Sequence, residues 1–173
     1  MNFKLREIKK LPGFKNFLIR QFYTCFGLGL APVASGTFGT LLGIPLYFLF
    51  RRFGLPIYIL ATLAVFFSGW WACNRAETDL GTHDDHRVVI DEVLGYLVTM
   101  TSSIPPEKQL PFAWVWGFFL FRLFDIWKPG PAGWVDRNTP GGLGVMLDDA
   151  VAGVFALVTM YVLTLIWHGF FVT

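Results

Sequence analysis

The stretch at residues 121–149 reads FRLFDIWKPGPAGWVDRNTPGGLGVMLDD, and it decides how the rest of the chain is interpreted. It follows one apolar segment and leads into another, yet it is rich in charged side chains. These are Arg122, Asp125, Lys128, Asp136, Arg137, Asp148 and Asp149. Charges at bilayer depth are costly and usually mark a functional site. We therefore expect this stretch to carry the chemistry and the remaining segments to support it.

The composition is that of a membrane protein. Of the 173 residues, 54% are hydrophobic and only 15% are charged, whereas charged residues make up about 25% of a soluble globular domain. The length predicts a single membrane-embedded domain over residues 1–173. The formal net charge of +2 and the lack of a basic stripe with interleaved aromatic residues exclude nucleic acid as an expected partner.

Several apolar runs predict membrane-spanning helices. Residues 55–73 are uncharged and would form a helix of about 28 Å, which matches the hydrocarbon core. A shorter span is expected near residues 40–50. Residues 88–104 and 110–127 would form a helical hairpin with arms of about 25 Å, and a final apolar run covers residues 150–173. The pattern predicts a polytopic helical bundle.

The N-terminal residues 1–20 indicate the orientation. They combine apolar residues on one helical face with a basic cluster, which predicts a segment lying in the membrane interface; a partly disordered tail is the alternative. Basic segments remain cytoplasmic, so residues 74–92 and 125–149 are also expected on the cytoplasmic side. Arg51 and Arg52 would then lie outside, against the positive-inside tendency, unless the first span is re-entrant.

A glycine-rich stretch precedes the first span. Residues 27–40 read GLGLAPVASGTFGT and contain no charge, which predicts an irregular loop that feeds a helix near residues 36–40. Glycines let backbone N–H groups approach a ligand, and a helix N-terminus favours anions. With Thr37 as a hydroxyl donor, the loop is a candidate phosphate contact. The alternative is a helix cap with small residues for close packing.

The acidic residues predict a metal site. A helical hairpin brings Asp91 and Glu92, at the start of its first helix, beside Asp125 at the end of its second. Asp148 and Asp149 join them if the last helix starts on the same membrane face. Carboxylates without cysteine suit hard cations, above all Mg²⁺.

The basic residues of the same stretch suit a phosphate beside that metal. Lys128 and Arg137 could bind it, and the spacing of Arg122, Asp125 and Lys128 would place these three charges along one helical face. The alternative is a set of ion pairs that reduce the cost of burial. A metal, a phosphate site and a membrane together suggest phosphoryl chemistry on a lipid.

Five elements, taken in order, resemble the phosphatidylglycerophosphatase A family. They are the glycine-rich stretch at 27–40, VIDEVLG at 89–95, FRLFDIWKP at 121–129, Asp136-Arg137, and GGLGVMLDDAVAG at 141–153. The resemblance implies an all-helical, Mg²⁺-dependent lipid phosphatase of the bacterial inner membrane with its site facing the cytoplasm. Such an enzyme converts phosphatidylglycerophosphate to phosphatidylglycerol and phosphate.

The resemblance also assigns expected roles to individual residues. The metal ligands implied are Asp91, Glu92, Asp125, Asp148 and Asp149. The catalytic carboxylates implied are Asp91, Glu92, Asp125 and Asp149. The substrate contacts expected are Thr37, Lys128 and Arg137.

Three other classes of membrane protein also use charged residues within the membrane or act on lipid phosphates. The D-x-x-D-G-x-x-A-R motif of CDP-alcohol phosphotransferases is absent, and so are the K-x₆-R-P, P-S-G-H and S-R-x₅-H elements of histidine-based lipid phosphatases. A small transporter or ion-site protein also carries charges and broken helices within the membrane, but here the charges gather toward one face. A phosphatase for another lipid phosphate stays an alternative.

Overall fold

The computed structural model of the protein describes residues 14–82, 85–104 and 110–171. Within these ranges the chain is helical and contains no β-strand, which confirms the all-α prediction. Most of the predicted interfacial segment, residues 1–13, lies outside the described residues. The α-helices are α1 Phe14–Tyr23, α2 Ser35–Phe50, α3 Gly54–Leu80, α4 Ile90–Met100, α5 Ala113–Trp127, α6 Pro131–Asn138 and α7 Gly141–Phe171.

Helix α4 is the centre of the fold. All of its 11 residues are buried except Glu92 and Val98, which are half-buried. Two acidic residues in its first turn, Asp91 and Glu92, interact favourably with the positive end of the helix dipole. Helices α2, α3, α5 and α7 pack around α4, so its burial comes from protein contacts on every side.

Helices α2 and α3 form an antiparallel pair beside α4. The first turn of α2 lies against the first turn of α4, where a Cβ atom at Gly36 would overlap the carboxylate of Glu92. At the other end of α2, the hydroxyl of Tyr47 donates a hydrogen bond to the Ser103 carbonyl at 3.4 Å. The 3₁₀ turn Arg51–Phe53 then reverses the chain.

Helix α3 returns antiparallel to α4 and ends beside the start of α7. Near its beginning, the Tyr58 hydroxyl donates to the Leu97 carbonyl at 2.7 Å. Farther along, the side-chain oxygen of Asn74 accepts a hydrogen bond from the Gly142 N–H at 2.9 Å. This bond satisfies one of the four backbone donors that a helix N-terminus leaves without an intrahelical partner.

The remaining long helices, α5 and α7, both pack on α4 and run in opposite directions to each other. The Tyr96 hydroxyl donates to the Trp114 carbonyl near the start of α5, so α5 is antiparallel to α4. The Thr99 hydroxyl donates to the Gly153 carbonyl, beyond the first turns of α7, so α7 runs parallel to α4. Five helix ends therefore meet at one end of the bundle. We call it the acidic end because it holds Asp91, Glu92, Asp125, Asp148 and Asp149.

Two helical stretches are long and apolar enough to cross a membrane. They are Ser35–Leu80, which contains α2, the 3₁₀ turn and α3, and Gly141–Phe170 in α7. The outward faces of α3, α5 and α7 expose many large apolar side chains, far more than the scattered apolar residues of an ordinary soluble surface. The outer surface is therefore suited to lipid.

Two boundaries differ from the prediction. Helix α7 begins at Gly141 and not at residue 150, because Asn74 caps it and Val145 and Met146 are buried in the core. The pair Asp148-Asp149 therefore lies inside a helix. The helix predicted at 88–104 is shorter than expected, since α4 covers Ile90–Met100 and only a 3₁₀ turn follows it. At about 16 Å, α4 does not cross a bilayer alone.

Candidate active site

Three carboxylates from two helices converge at the acidic end. One oxygen each from Asp91, Glu92 and Asp149 can be chosen so that all three lie within 4.8 Å of one another. Asp91 and Asp149 are buried, and Glu92 is half-buried. Asp91 and Glu92 come from the first turn of α4, while Asp149 comes from the third turn of α7. We call these three residues the carboxylate triad.

The carboxylate triad fits a divalent cation. Among the described residues, no hydrogen-bond donor reaches Glu92 Oε2 or Asp149 Oδ2, although both atoms are buried. Two carboxylates about 4 Å apart repel each other by about 4 kcal/mol at an effective dielectric constant of roughly 20. Oxygen ligands of this charge suit Mg²⁺. A bound cation would satisfy the orphaned oxygens and remove the repulsion.

Asp125 and Arg122 flank the carboxylate triad. The Nη1 atom of Arg122 donates to Asp125 Oδ2 at 2.6 Å, and both side chains are mostly buried. The Asp125 carboxyl is near enough to interact electrostatically with both Glu92 and Asp149. Arg122 therefore holds a fourth carboxylate at the edge of the triad.

The glycine-rich stretch reaches the site through the start of α2. Its irregular part ends at Ala34, and α2 starts at Ser35. A Cβ atom at Gly36 would overlap the Glu92 carboxylate and lie 2.9 Å from Arg122 Nη1. Since only a glycine permits this approach, the first turn of α2 packs directly on the site. Thr37, half-buried in that turn, is next to this contact.

Lys128 and Asp148 form a second pair at the acidic end. Lys128 Nζ donates to Asp148 Oδ2 at 2.6 Å. The prediction that Arg122, Asp125 and Lys128 share one helical face was wrong for Lys128. Helix α5 ends at Trp127, and Lys128 adopts a left-handed conformation with φ 45°, so its side chain leaves the helix toward α7. Asp148 is not a member of the carboxylate triad.

Replacing Asp148 with Asn is expected to destabilise the metal-free protein by about 1–2 kcal/mol, because it removes the charge of the carboxylate that accepts a hydrogen bond from the half-buried Lys128 at 2.6 Å. Thermal unfolding in detergent with EDTA measures this change. Lys128→Met and the double variant complete a double-mutant cycle, in which we expect a favourable coupling between the two residues. If the Asp148→Asn variant is more stable than the wild type in EDTA, the carboxylate belongs to the repelling triad and not to an ion pair.

Arg137 lies in the last turn of the short helix α6. It is exposed on α6, and its guanidinium folds back along its own helix, 3.4 Å from where a Cβ atom of Gly133 would lie. The contact between Arg137 and a phosphate stays a prediction. The neighbouring Asp136 side chain lies outside the described part of the structure.

The loop before α4 is fixed by polar contacts that position the carboxylate triad. Arg87 binds the Asp85 carboxylate through Nε and Nη2, each at 2.7 Å. Burial raises the pKa of Asp85, but hydrogen bonds from Arg87 and Thr82 outweigh it and hold the pKa well below its ordinary value. The hydroxyl of Ser35 donates to the His86 carbonyl at 2.6 Å. These bonds fasten the start of α4 to the start of α2.

Sequence reasoning treated Arg122 only as a charge on a helical face. In the structure it joins Asp125 to the first turn of α2 and lines an apolar groove on α5. Its position directly after a long apolar run was the available signal, because an arginine there is costly without a specific partner.

Comparisons with known proteins identify relatives of this chain. A family model described as phosphatidylglycerophosphatase A matches residues 21–164. The phosphatidylglycerophosphatase A of Escherichia coli K12 is 37% identical over 139 residues, covering 79% of this chain and 77% of the relative. The phosphatidylglycerophosphatase A of Haemophilus influenzae is 35% identical over 138 residues, covering 79% of this chain and 82% of the relative.

A third relative carries a different name. A Bacteroides thetaiotaomicron protein named "Putative phosphatidylinositol-3-phosphatase" is 39% identical over 163 residues, covering 88% of this chain and 96% of the relative. No solved structure gives a significant match. The family model spans α2 through most of α7 and therefore every carboxylate of the acidic end. The chain belongs to the phosphatidylglycerophosphatase A family.

Proposed function

We propose that this protein hydrolyses the terminal phosphomonoester of phosphatidylglycerophosphate to give phosphatidylglycerol and phosphate, and that it requires Mg²⁺. The observation that carries the proposal is the carboxylate triad with its two unpartnered buried oxygens, in a chain of this family. Asp91, Glu92 and Asp149 would hold the cation. When bound, Mg²⁺ polarises a phosphoryl oxygen and neutralises its charge.

The other residues of the acidic end have complementary roles in this proposal. Asp125, held by Arg122 at 2.6 Å, is the carboxylate available to orient a water molecule and accept its proton. Lys128, held by Asp148, supplies a positive charge for the phosphate. Thr37 and the backbone N–H groups of the first turn of α2 can donate hydrogen bonds to phosphate oxygens. Arg137, exposed on α6, is a further candidate contact for the phosphate.

A site on the cytoplasmic side of the bacterial inner membrane completes the proposal. Among the described residues, the bundle end opposite the acidic end carries Arg51 and Arg52. The acidic end is richer in basic residues, which favours the cytoplasmic side for short loops. The described basic residues at the acidic end are Arg20, Arg75, Arg87, Arg122, Lys128 and Arg137. Their excess there outweighs the two arginines that oppose the rule. The directions of α3 and α5, opposite to those of α2 and α7, support a multi-pass bundle.

A second substrate class has support from the Bacteroides relative, whose name refers to a phosphatidylinositol 3-phosphate. The chemistry is the same, since both lipids present a phosphomonoester on a polyol headgroup. The two candidates differ in the polyol of the headgroup that the site must accept.

The test is phosphate release by the purified protein in detergent, after EDTA treatment, with and without added Mg²⁺. Phosphatidylglycerophosphate, phosphatidylinositol 3-phosphate and phosphatidic acid are compared as substrates. We expect Mg²⁺-dependent release that is fastest with phosphatidylglycerophosphate. Faster release from another of these lipids would change the substrate assignment. No release from any of them by a folded protein would refute the phosphatase assignment and favour a transporter or ion-site protein.

A further inference from the structure

An open apolar groove on the outward face of α5 includes Arg122, whose guanidinium binds Asp125 beside the carboxylate triad. It is wide open to the surroundings, and the residues that line it, Phe119, Arg122, Leu123, Ile126 and Trp127, all belong to α5. The spacing of Phe119, Leu123 and Ile126 puts them on one helical face. Their side chains are 61%, 54% and 74% exposed.

A single cation lies at the inner wall of this groove among the residues that line it. Arg122 lines the groove, yet its Nη1 atom binds Asp125 and lies against the first turn of α2. A guanidinium has five N–H donors, and one of them is engaged by Asp125. The groove therefore joins an apolar surface to a positive charge and, beyond it, to the metal-binding carboxylates.

We propose that one acyl chain of the phospholipid substrate lies along this groove, so that α5 is the side by which the lipid reaches the carboxylate triad. The inference rests on the proposed function and identifies where the lipid half of the substrate binds. A phospholipid matches the groove because it joins an apolar chain to an anionic phosphodiester, whose oxygens can accept hydrogen bonds from the Arg122 N–H groups that Asp125 does not engage. A packing helix of another protein would have to bury the exposed part of Arg122 against apolar side chains, which is costly without an anionic partner.

A second apolar groove provides the comparison. It has a volume of about 440 Å³ and is lined by residues that include Trp116, Leu163 and Ile166. None of the described residues that line it is charged. Ile166 is 17 positions after Asp149, so this groove lies about 25 Å from the carboxylate triad along α7. A lipid in this groove could not present its headgroup to the site.

The test fills each groove with a larger apolar side chain. Leu123→Trp is expected to lower kcat/KM for long-chain phosphatidylglycerophosphate about tenfold, because the substrate loses acyl-chain binding energy. Hydrolysis of the deacylated, water-soluble headgroup should change by less than about twofold. Ile166→Trp is the matched control, since Ile166 is similarly exposed at 50%; it should leave both substrates unaffected.

A second measurement uses the wild-type protein and does not depend on any variant folding. Phosphatidylglycerol with a photoactivatable diazirine in one acyl chain is irradiated with the protein in detergent micelles, and the labelled peptides are identified by mass spectrometry. Label on residues 119–127 supports the proposal. Label confined to residues 110–116 and 163–167, or equal losses on both substrates in Leu123→Trp, overturns it. Failure of the wild type to hydrolyse the lipid would instead refute the proposed function, whatever the labelling pattern.

Discussion

Replacing Asp149 with Asn is expected to lower kcat by about 10³-fold and, in the same protein, to raise the thermal stability of the metal-free form. The substitution keeps the shape of the side chain but removes one of the three charges of the carboxylate triad. It also places an amide N–H donor beside Asp91 and Glu92. The repulsion that a metal would otherwise neutralise is thereby reduced.

Two measurements check the effect of Asp149→Asn. Phosphate release gives the loss of activity, and thermal unfolding in detergent with EDTA gives the change in stability. Added Mg²⁺ should stabilise the wild type by about 2.7 kcal/mol at one hundred times its dissociation constant and should stabilise the variant far less. A variant that is less stable than the wild type in EDTA would mean that Asp149 is held by favourable contacts and not by a metal.

Replacing Gly95 with Leu is expected to destabilise the fold by at least about 3 kcal/mol, equivalent to a drop in Tm of about 10 °C. Gly95 lies in the middle of α4, where α5 and α7 both cross it. A Cβ atom there would overlap the Phe121 ring and lie 2.9 Å from the carbonyl oxygen of Asp149. The ring could move, but the backbone of α7 could not do so without displacing the Asp149 side chain.

Gly169→Leu is the matched control for this prediction. Gly169 also lies within a helix, α7, but a Cβ atom there would meet nothing within 4 Å. Its replacement should leave Tm unchanged or raise it, because glycine is a poor helix former. Equal losses of Tm in the two variants would show that the cost comes from adding a large side chain to either helix and not from the crossing of α4 with α5 and α7.

The sequence predicted the convergence of the carboxylates because hairpin geometry is simple. A helix that starts at Asp91-Glu92 and an antiparallel neighbour that ends near Asp125 must bring these residues together, and the structure has this arrangement. The predicted span at 55–73 lies within α3, and the span near 40–50 lies within α2. Long uncharged runs identify such helices by length alone.

The start of α7 was mispredicted because its cap is distant in sequence. The segment Gly141-Gly142-Leu143-Gly144 resembles a loop by composition. The Asn74 side chain, 68 positions earlier, satisfies a backbone donor there. The glycines permit contact with the end of α3, since a Cβ atom at Gly142 would overlap the Asn74 backbone. Pattern reasoning along the chain cannot detect a cap supplied by another helix.

The ion pair between Asp148 and Lys128 could not be predicted from the sequence either. Adjacent aspartates at 148 and 149 point in directions about 100° apart on a helix, so they cannot both face the same cation equally. Which of the two faces the carboxylate triad depends on the rotation of α7 against α4. That rotation is set by packing contacts such as the one between Gly153 and the Gly95 carbonyl.

The most direct test of the carboxylate triad is a titration with Mn²⁺ followed by electron paramagnetic resonance, with Mn²⁺ as a stand-in for Mg²⁺ because both prefer oxygen ligands. Asp91→Asn, Glu92→Gln and Asp149→Asn should each weaken binding by about tenfold or more, whereas Asp148→Asn should leave it within about threefold of the wild type. Binding that survives all three triad substitutions, or that is lost in Asp148→Asn alone, would contradict a metal site built from Asp91, Glu92 and Asp149.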